Sequence, residues 1–317
     1  MMMRENVPVY VVTGFLESGK TSFLRYSMDQ EGFMIERKTL LLLCEQGEEE
    51  YDPRDFERLN TVMEVLEDES QFTPQTLQAL DRKHRPARVM IEYNPLWGVG
   101  KLYDIKMPRS WQFVQHIVTI DATTFKTYLN NMRSIFQDMI NGADLVAFNR
   151  CNTDMPLAEF RRSVKAVNQQ CTIIFEDMKG EILDTVEDIM PFDVSGPVIH
   201  VDDMDYGIWY LDMRDHPDRY EGKSVAFRAQ VVKSREKGAQ FFVPGRRIMT
   251  CCAEDIRFMG YLCKSDKAPQ MREGTWINLQ AKVKTEYNDI YREEGPVLYA
   301  EKITPAEKPE DELVYFN

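Results

Sequence analysis

Cysteine, histidine, basic charge and long apolar runs are the scarce elements of this 317-residue chain. Its six cysteines contain no C-x-x-C pair, and a chain of this size does not need a disulfide scaffold, so reduced thiols of a cytoplasmic protein are expected. The four histidines, at 84, 116, 200 and 216, have no H-x-x-x-H spacing, so a two-histidine metal site on one helix face is excluded. No apolar run approaches the roughly 20 residues of a bilayer span, and no membrane insertion is expected. The opening Met-Met-Met-Arg-Glu-Asn lacks the apolar core of a secretory signal. Basic residues number 39 against 52 acidic ones, and the net charge of −13 speaks against general nucleic-acid binding. Most of that excess lies in residues 1–199, with 21 basic and 31 acidic side chains, against 18 and 21 in residues 200–317.

What is present reads as two soluble domains. In the first part, strand-like runs at Val7–Thr13, Thr39–Cys44, Ala87–Glu92, Phe113–Ile120, Leu145–Asn149 and Thr172–Phe175 alternate with helical stretches at Thr73–Arg82, Thr123–Asn141 and Pro156–Asn168. A run such as Leu40-Leu-Leu-Leu43 implies burial on both faces, hence an α/β domain with a mostly parallel sheet, placed at residues 1–195. Residues 190–206 carry Pro191, Gly196 and Pro197 and read as a boundary. Beyond it, short strands at Ser224–Val232, Gln240–Val243, Arg247–Cys252, Trp276–Lys284 and Val297–Ile303 suggest a small all-β, OB-like barrel over residues 206–317. Turns are expected at Lys237-Gly238, Pro244-Gly245 and Glu294-Gly295-Pro296, and Val314-Tyr-Phe316 is expected to dock back.

The densest chemical signal is Gly14-Phe-Leu-Glu17-Ser18-Gly19-Lys20-Thr21, a G-x-x-x-x-G-K-T spacing after the first strand and before a helix. Glycines let backbone N–H groups curl around a phosphate, and the helix that follows through Ser22 offers its positive end to the same anion. Lys20 would reach the β- and γ-phosphates, and the Thr21 hydroxyl would ligate Mg²⁺. Two later strand ends suit a nucleotide site: Glu92 where a metal-side carboxylate belongs, and Asn149-Arg150-Cys-Asn152 where a base is read.

These residues resemble the CobW-like P-loop GTPases, the family that also holds the nickel-inserting GTPases of urease and hydrogenase maturation. The likeness covers about residues 7–155 and includes Cys44-Glu45-Gln-Gly47-Glu48 through Asp52, Val118-Thr-Ile-Asp121-Ala122 and Ala143-Asp144-Leu145. It implies GTP or GDP and Mg²⁺ on Gly14, Glu17, Ser18, Gly19, Lys20, Thr21 and Ser22, with Lys20 and Glu92 as the catalytic pair and Asn149 and Arg150 at the base. Homodimerisation and a metal-dependent client are further implications.

Several positions depart from the family pattern. The third loop residue, usually glycine, is Glu17, whose carboxylate must turn away from phosphates. The family's E-x-x-G becomes Glu92-Tyr-Asn-Pro95, replacing a mobile glycine by a residue with fixed φ and no N–H. Asn152 stands where an aspartate accepts two hydrogen bonds from guanine, which weakens base preference, with Asp154 as a nearby substitute. The family's C-x-C-C is missing from Thr61–Phe72, whose carboxylates, with Glu48, Glu49, Glu50 and Asp52, could bind a hard cation but, without ligand spacing, read rather as a solvated acidic surface.

In the second domain, Phe241-Phe-Val-Pro-Gly-Arg-Arg-Ile-Met-Thr-Cys251-Cys252-Ala-Glu-Asp255 resembles a module of uncharacterised bacterial proteins found beside permeases. Adjacent cysteines on a strand face opposite ways, so Cys251 or Cys252 with Asp255, Glu254 or Cys263 could form a thiolate–carboxylate transition-metal site, zinc being one candidate; the alternative is one core cysteine and one half-exposed one. The expectation is therefore a cytoplasmic GTP-binding protein and GTPase of the metallochaperone class, engaging a client protein or permease. The alternative is a nucleotide-sensing scaffold that hydrolyses negligibly.

Overall fold

The structure, a computed structural model, describes residues 6–45, 51, 53–183, 190–233, 240–249 and 256–314. In chain order the first elements are β1 (Val7–Thr13), α1 (Lys20–Asp29), β2 (Thr39–Leu43), α2 (Pro53–Arg58), β3 (Thr61–Val65), α3 (Pro74–His84) and β4 (Arg88–Glu92). There follow α4 (Val99–Asp104), β5 (Trp111–Asp121), α5 (Phe125–Asn131), α6 (Arg133–Asn141), β6 (Leu145–Cys151), α7 (Leu157–Val167) and β7 (Thr172–Asp177). Then come β8 (Val198–His200), α8 (Tyr206–Asp215), β9 (Ser224–Lys233), β10 (Phe241–Met249), β11 (Ile256–Gly260), β12 (Cys263–Lys264), β13 (Trp276–Asn288), β14 (Glu293–Pro305) and β15 (Leu313–Val314). Two compact units divide the chain, one of Met1–Leu157 with Val167–Val186, the other of Ala158–Ala166 with Glu187–Asn317.

The first unit holds a seven-stranded sheet in the order β3-β2-β4-β1-β5-β6-β7, with every pairing parallel. Parallel pairing puts the C-terminal ends of all strands on one edge, where ligands of open α/β sheets bind. The leucine run of β2 shows why its residues are apolar without alternation. Leu40 and Leu42 pack with Leu77 and Leu80 of α3 and Leu102 of α4, while Leu41 and Leu43 pack with Leu24 and Met28 of α1. Each such leucine, fully buried, contributes about 1.5–3 kcal/mol. Local signals agree with this packing: Thr73 accepts from the Thr76 N–H to cap α3, Pro74 opens it, and Arg82, Lys83 and His84 occupy its last turn.

β3 is a sheet strand within the stretch read as acidic surface; Thr61, Val62, Met63, Glu64 and Val65 pair one by one with residues 39–43 of β2. The expected helix over Thr123–Asn141 is two helices, because Met132 leaves helical geometry at φ −132°, ψ 39°. Helix α8 carries no periodic signal in the sequence: seven of its ten residues are buried, so it has no polar face to mark its period.

Behind the phosphate loop, β5 carries a fully buried imidazole, His116. Tyr103 donates its one hydroxyl proton to Gly142 O (2.8 Å), so His116 Nδ1–H donates to the Tyr103 oxygen (2.6 Å) and Nε2 accepts from Thr13 Oγ1–H (2.8 Å). Burial pushes its pKa down to about 4, against the opposing pull of Asp144 and the Gly142 carbonyl. An unfolded histidine titrates near 6.5, so the unfolded chain binds the extra proton between these values. The neutral His116 therefore contributes its stability in full above about pH 6.5 and loses about 3 kcal/mol of it as pH falls to 4. In urea unfolding, His116→Asn should flatten this part of the pH dependence; an unchanged slope would show that other groups cause it.

The second unit contains a closed ring, β9–β13–β14–β12–β10–β9. Within the ring only β12–β14 is parallel, the pairing of a five-stranded OB-type barrel. Its core is filled from alternating positions: Val225, Phe227, Ala229 and Val231 on β9, and Ile277, Leu279, Ala281 and Val283 on β13, around Trp209 of α8. The turn expected at Pro244-Gly245 is instead the middle of β10, where Pro244 faces Val231 and Gly245 faces both Gln230 and Gly260. Gly295-Pro296 likewise lies inside β14, opposite Glu286 and Thr285. Of the expected tail contact, Val314 pairs with Ile248 in β15 against β10, while Tyr315 and Phe316 lie outside the described residues.

Candidate nucleotide site

The site gathers at the C-terminal edge of the parallel sheet because β1, β2, β4, β5 and β6 all end there. The loop from Gly14 to Gly19 leaves β1 and enters α1 at Lys20. Gly14 is required by close approach: a Cβ built there would sit 2.3 Å from Ser18 Oγ and 2.5 Å from Thr119 O. Gly19 has φ +89° and serves as N-cap of α1 without any side-chain cap, which leaves the first-turn N–H groups to an anion. Glu17 takes φ +60°, a left-handed conformation that glycine adopts at no steric cost. The glycine usual at that loop position thus has a backbone reason, and this chain keeps the geometry with an exposed glutamate.

Lys20 is 4% exposed, and its ammonium donates to Gly14 O and Phe15 O, both at 3.0 Å. Its Nζ also lies 2.6 Å from Glu45 Oε2. Thr21 Oγ1 donates to the Glu92 carboxylate at 3.1 and 3.2 Å, and Tyr51 OH donates to Glu92 Oε2 at 2.8 Å. Glu92 is buried, and burial pushes its pKa up, opposed by the Tyr51 bond, Lys20 and Thr21 and reinforced by Glu45. A hydroxyl beside a carboxylate is a hard-oxygen donor set, the kind that fits Mg²⁺. Ser18 Oγ bonds Thr119 Oγ1 at 2.9 Å, and Ser22 lies exposed on α1.

The two residues assigned to the base hold the phosphate loop. Asn149 Nδ2 donates to Ser18 O at 2.7 Å; Arg150 Nη1 donates to Glu17 O at 3.0 Å and to Asp121 Oδ2 at 2.8 Å. Arg150 reaches them from φ +54°, where the β6–β7 register breaks. Asn152 and Asp154 are both exposed, and Asn152 Oδ1 accepts from the Asp154 N–H at 3.0 Å. Downstream of Glu92, Asn94 caps a short 3-10 turn that begins at the buried Pro95, and Tyr93 OH donates to Gly98 O at 3.0 Å. A pocket is lined by Leu16, Glu17, Ser18, Gly19, Lys20, Thr21, Glu45, Glu92 and Arg150.

Glu45, Tyr51, Asp121 and Thr119 join this constellation without having been assigned to it from sequence. Glu45 and Asp121 each stand at or just after a strand end on the ligand edge, a positional signal that was available. Tyr51 comes from between strands and carries none. Cys44 is a core residue, 2% exposed, whose thiol is pushed up by burial and then by Glu92 and Glu45, so it is a poor thiolate ligand. Cys251, Cys252 and Asp255 lie outside the described residues, as do Glu48 and Asp52; among the described residues no three His, Cys, Asp or Glu side chains group to hold a metal. A cavity of about 850 Å³ lies on the barrel, where Asp202, Asp205, Arg228 and Lys302 mix charges and no glycine loop cradles a phosphate.

The region 181–316 matches the family model of the DUF1980 C-terminal domain. No curated protein matches the chain. Among solved structures, hydrogenase maturation factor HypB from Archaeoglobus fulgidus is 18% identical over 55% of this chain and 82% of its own, with a TM-score of 0.39. The Zn(II)-bound YjiA GTPase from E. coli is 14% identical over 72% of this chain and 74% of its own, with a TM-score of 0.42. The model described as CobW/HypB/UreG, nucleotide-binding domain, matches residues 8–175, more than half of the sequence, and the chain belongs to that family.

Proposed function

We propose that the chain binds a purine nucleoside triphosphate, GTP before others, with its phosphates over Gly14–Thr21, and that it is a GTPase whose nucleotide state governs a metal-dependent client. The observation that carries this reading is the meeting of Lys20, Thr21 and Glu92 at one end of the loop that Asn149 and Arg150 brace at the other. Loop N–H groups and Lys20 bind and orient the phosphates, a contribution made by positioning and charge neutralisation. Thr21 and Glu92 would hold Mg²⁺, which supplies charge neutralisation at the β- and γ-phosphates when bound. Glu92, kept in place by Tyr51, orients the attacking water's side of the site. We propose zinc or another transition metal on Cys251, Cys252 and Asp255, in a cytoplasmic protein that forms a homodimer and engages a client or permease.

A second reading, a nucleotide-sensing scaffold with negligible turnover, is favoured by two observations. Pro95 is buried in a capped turn, which stiffens the segment after Glu92, and the Asn152 carbonyl is engaged by its own loop. Single-turnover assays with GTP, ATP and XTP in Mg²⁺, beside Lys20→Ala, separate the two. GTP cleaved faster than by the Lys20 variant, with less than about tenfold preference over XTP, supports the GTPase with relaxed base choice. Cleavage no faster than in the variant leaves the scaffold. Zinc content after purification, compared with a Cys251→Ser/Cys252→Ser double variant, tests metal handling: equal, near-zero zinc in both removes it.

A further inference from the structure

An ammonium donates and accepts nothing; Lys20 donates to Gly14 O and Phe15 O and has Glu45 Oε2 as its ion-pair partner. The first two are neutral carbonyls of the phosphate loop itself. The third is a carboxylate that lies on the pocket wall, 13% exposed. Glu45 is held there by its neighbour: Cys44 is buried, and its N–H donates to Glu92 O at 2.8 Å, which fixes the chain leaving β2 against the end of β4. Although Oε2 is 2.6 Å from Nζ, it is buried without a directed hydrogen bond from any described residue. The pair is thus close in charge but poor in geometry, which makes it exchangeable for a better acceptor.

A phosphate arriving over the loop needs the same ammonium. It also brings negative charge to a small pocket already lined by Glu45 and Glu92, where like charges are screened less than in bulk water. Both effects act on one side chain. We infer that Glu45 is an affinity-setting residue, one that competes with the nucleotide's phosphates for Lys20 and is displaced from it when they bind. The inference rests on the nucleotide reading above; in it Glu45 acts on Lys20, while Thr21 and Glu92 pair with each other.

The test is titration of a fluorescent GDP analogue without Mg²⁺, so that no carboxylate acts through a metal, on the wild type, Glu45→Gln and Glu17→Gln. Glu17 is a control of equal charge: it lines the same pocket, exposed, and it is not the carboxylate on Lys20. Glu45→Gln should tighten binding by about tenfold or more, as befits removal of a buried competitor, and the gain should persist from about 0.05 M to about 0.5 M salt. Glu17→Gln should tighten it less than about threefold, and that gain should fade at the higher salt. Glu45→Ala serves as a second variant and should reproduce the gain without the amide. Binding by the wild type with no gain, or a loss, in both Glu45 variants overturns the inference alone. Equal gains from Glu45→Gln and Glu17→Gln, both erased by salt, reduce it to a general field and overturn it as well. No binding by the wild type overturns the nucleotide reading together with it.

Discussion

Gly14→Ala should cost nucleotide affinity at least about a hundredfold, roughly 3 kcal/mol, while the barrel stays folded. The added methyl would lie 2.3 Å from Ser18 Oγ, 2.5 Å from Thr119 O and 2.7 Å from Thr119 Oγ1. Two of these atoms move easily, but Thr119 O is backbone near the C-terminal end of β5, where Thr119 pairs with Ala147 of β6, and cannot yield without disturbing that pairing. The loop must therefore lift, and with it the Ser18–Thr119 bond of 2.9 Å and the ring of N–H groups that ends at Lys20. A contrast isolates the cause. Gly100 in α4 has nothing within 4 Å of an added Cβ, so Gly100→Ala should bind as the wild type does. Titration of both variants with a fluorescent GDP analogue, beside amide exchange of β13, checks the claim. Gly14→Ala binding within about threefold of wild type would mean the loop tolerates the methyl and that its backbone does not shape the cradle.

How much of this was legible in the sequence follows from what each feature is made of. The loop was legible because a phosphate cradle needs fixed residue types at fixed spacing. Glu92, Asn149 and Arg150 were legible because strand ends in a parallel sheet point to one edge. What those last two hold was not: a hydrogen bond from Asn149 to the Ser18 carbonyl is a fact of three dimensions that no spacing records. β3 was hidden because an edge strand can keep its outer positions polar, and Glu64 there takes Lys83 and His84 as partners at 2.6 Å. Pro244 and Gly295 misled for the opposite reason. Proline and glycine usually punctuate, yet at tight barrel bends they belong inside strands, where Gly245 and Gly260 come so close that a Cβ on either would lie 2.4 Å from a carbonyl of the facing strand. The OB-like order itself was reachable only from strand count and length, since the parallel β12–β14 pair depends on two residues, Cys263 and Lys264.

The barrel's own stability should turn on one buried guanidinium, and Asp203→Ala should cost it about 3–5 kcal/mol, more than Arg246→Met. Arg246 on β10 is 1% exposed. Nη1 donates to Asp203 Oδ1 at 2.6 Å, Nη2 donates to Asp311 O at 3.0 Å, and the group stands 5.1 Å over the Trp276 ring; Nε has no described partner. Removing Asp203 leaves a cation out of water with one neutral acceptor and one aromatic face, and neither replaces a carboxylate at that depth. The second bridge lost, Arg228 to Asp203 at 3.4 Å, adds little because Arg228 is 36% exposed. Arg246→Met removes the charge and fills most of its volume, leaving only Asp203, which at 31% exposure can turn to solvent. The order of the two losses separates a pair that stabilises from one in which each member offsets the other's desolvation. Amide exchange of β9 and β13 reads barrel opening without interference from the other unit, whose unfolding would blur a whole-chain melt. If Arg246→Met opens the barrel as readily as Asp203→Ala, the ion pair is a net contributor in its own right; if the double variant matches Asp203→Ala, the stranded charge was not the cost.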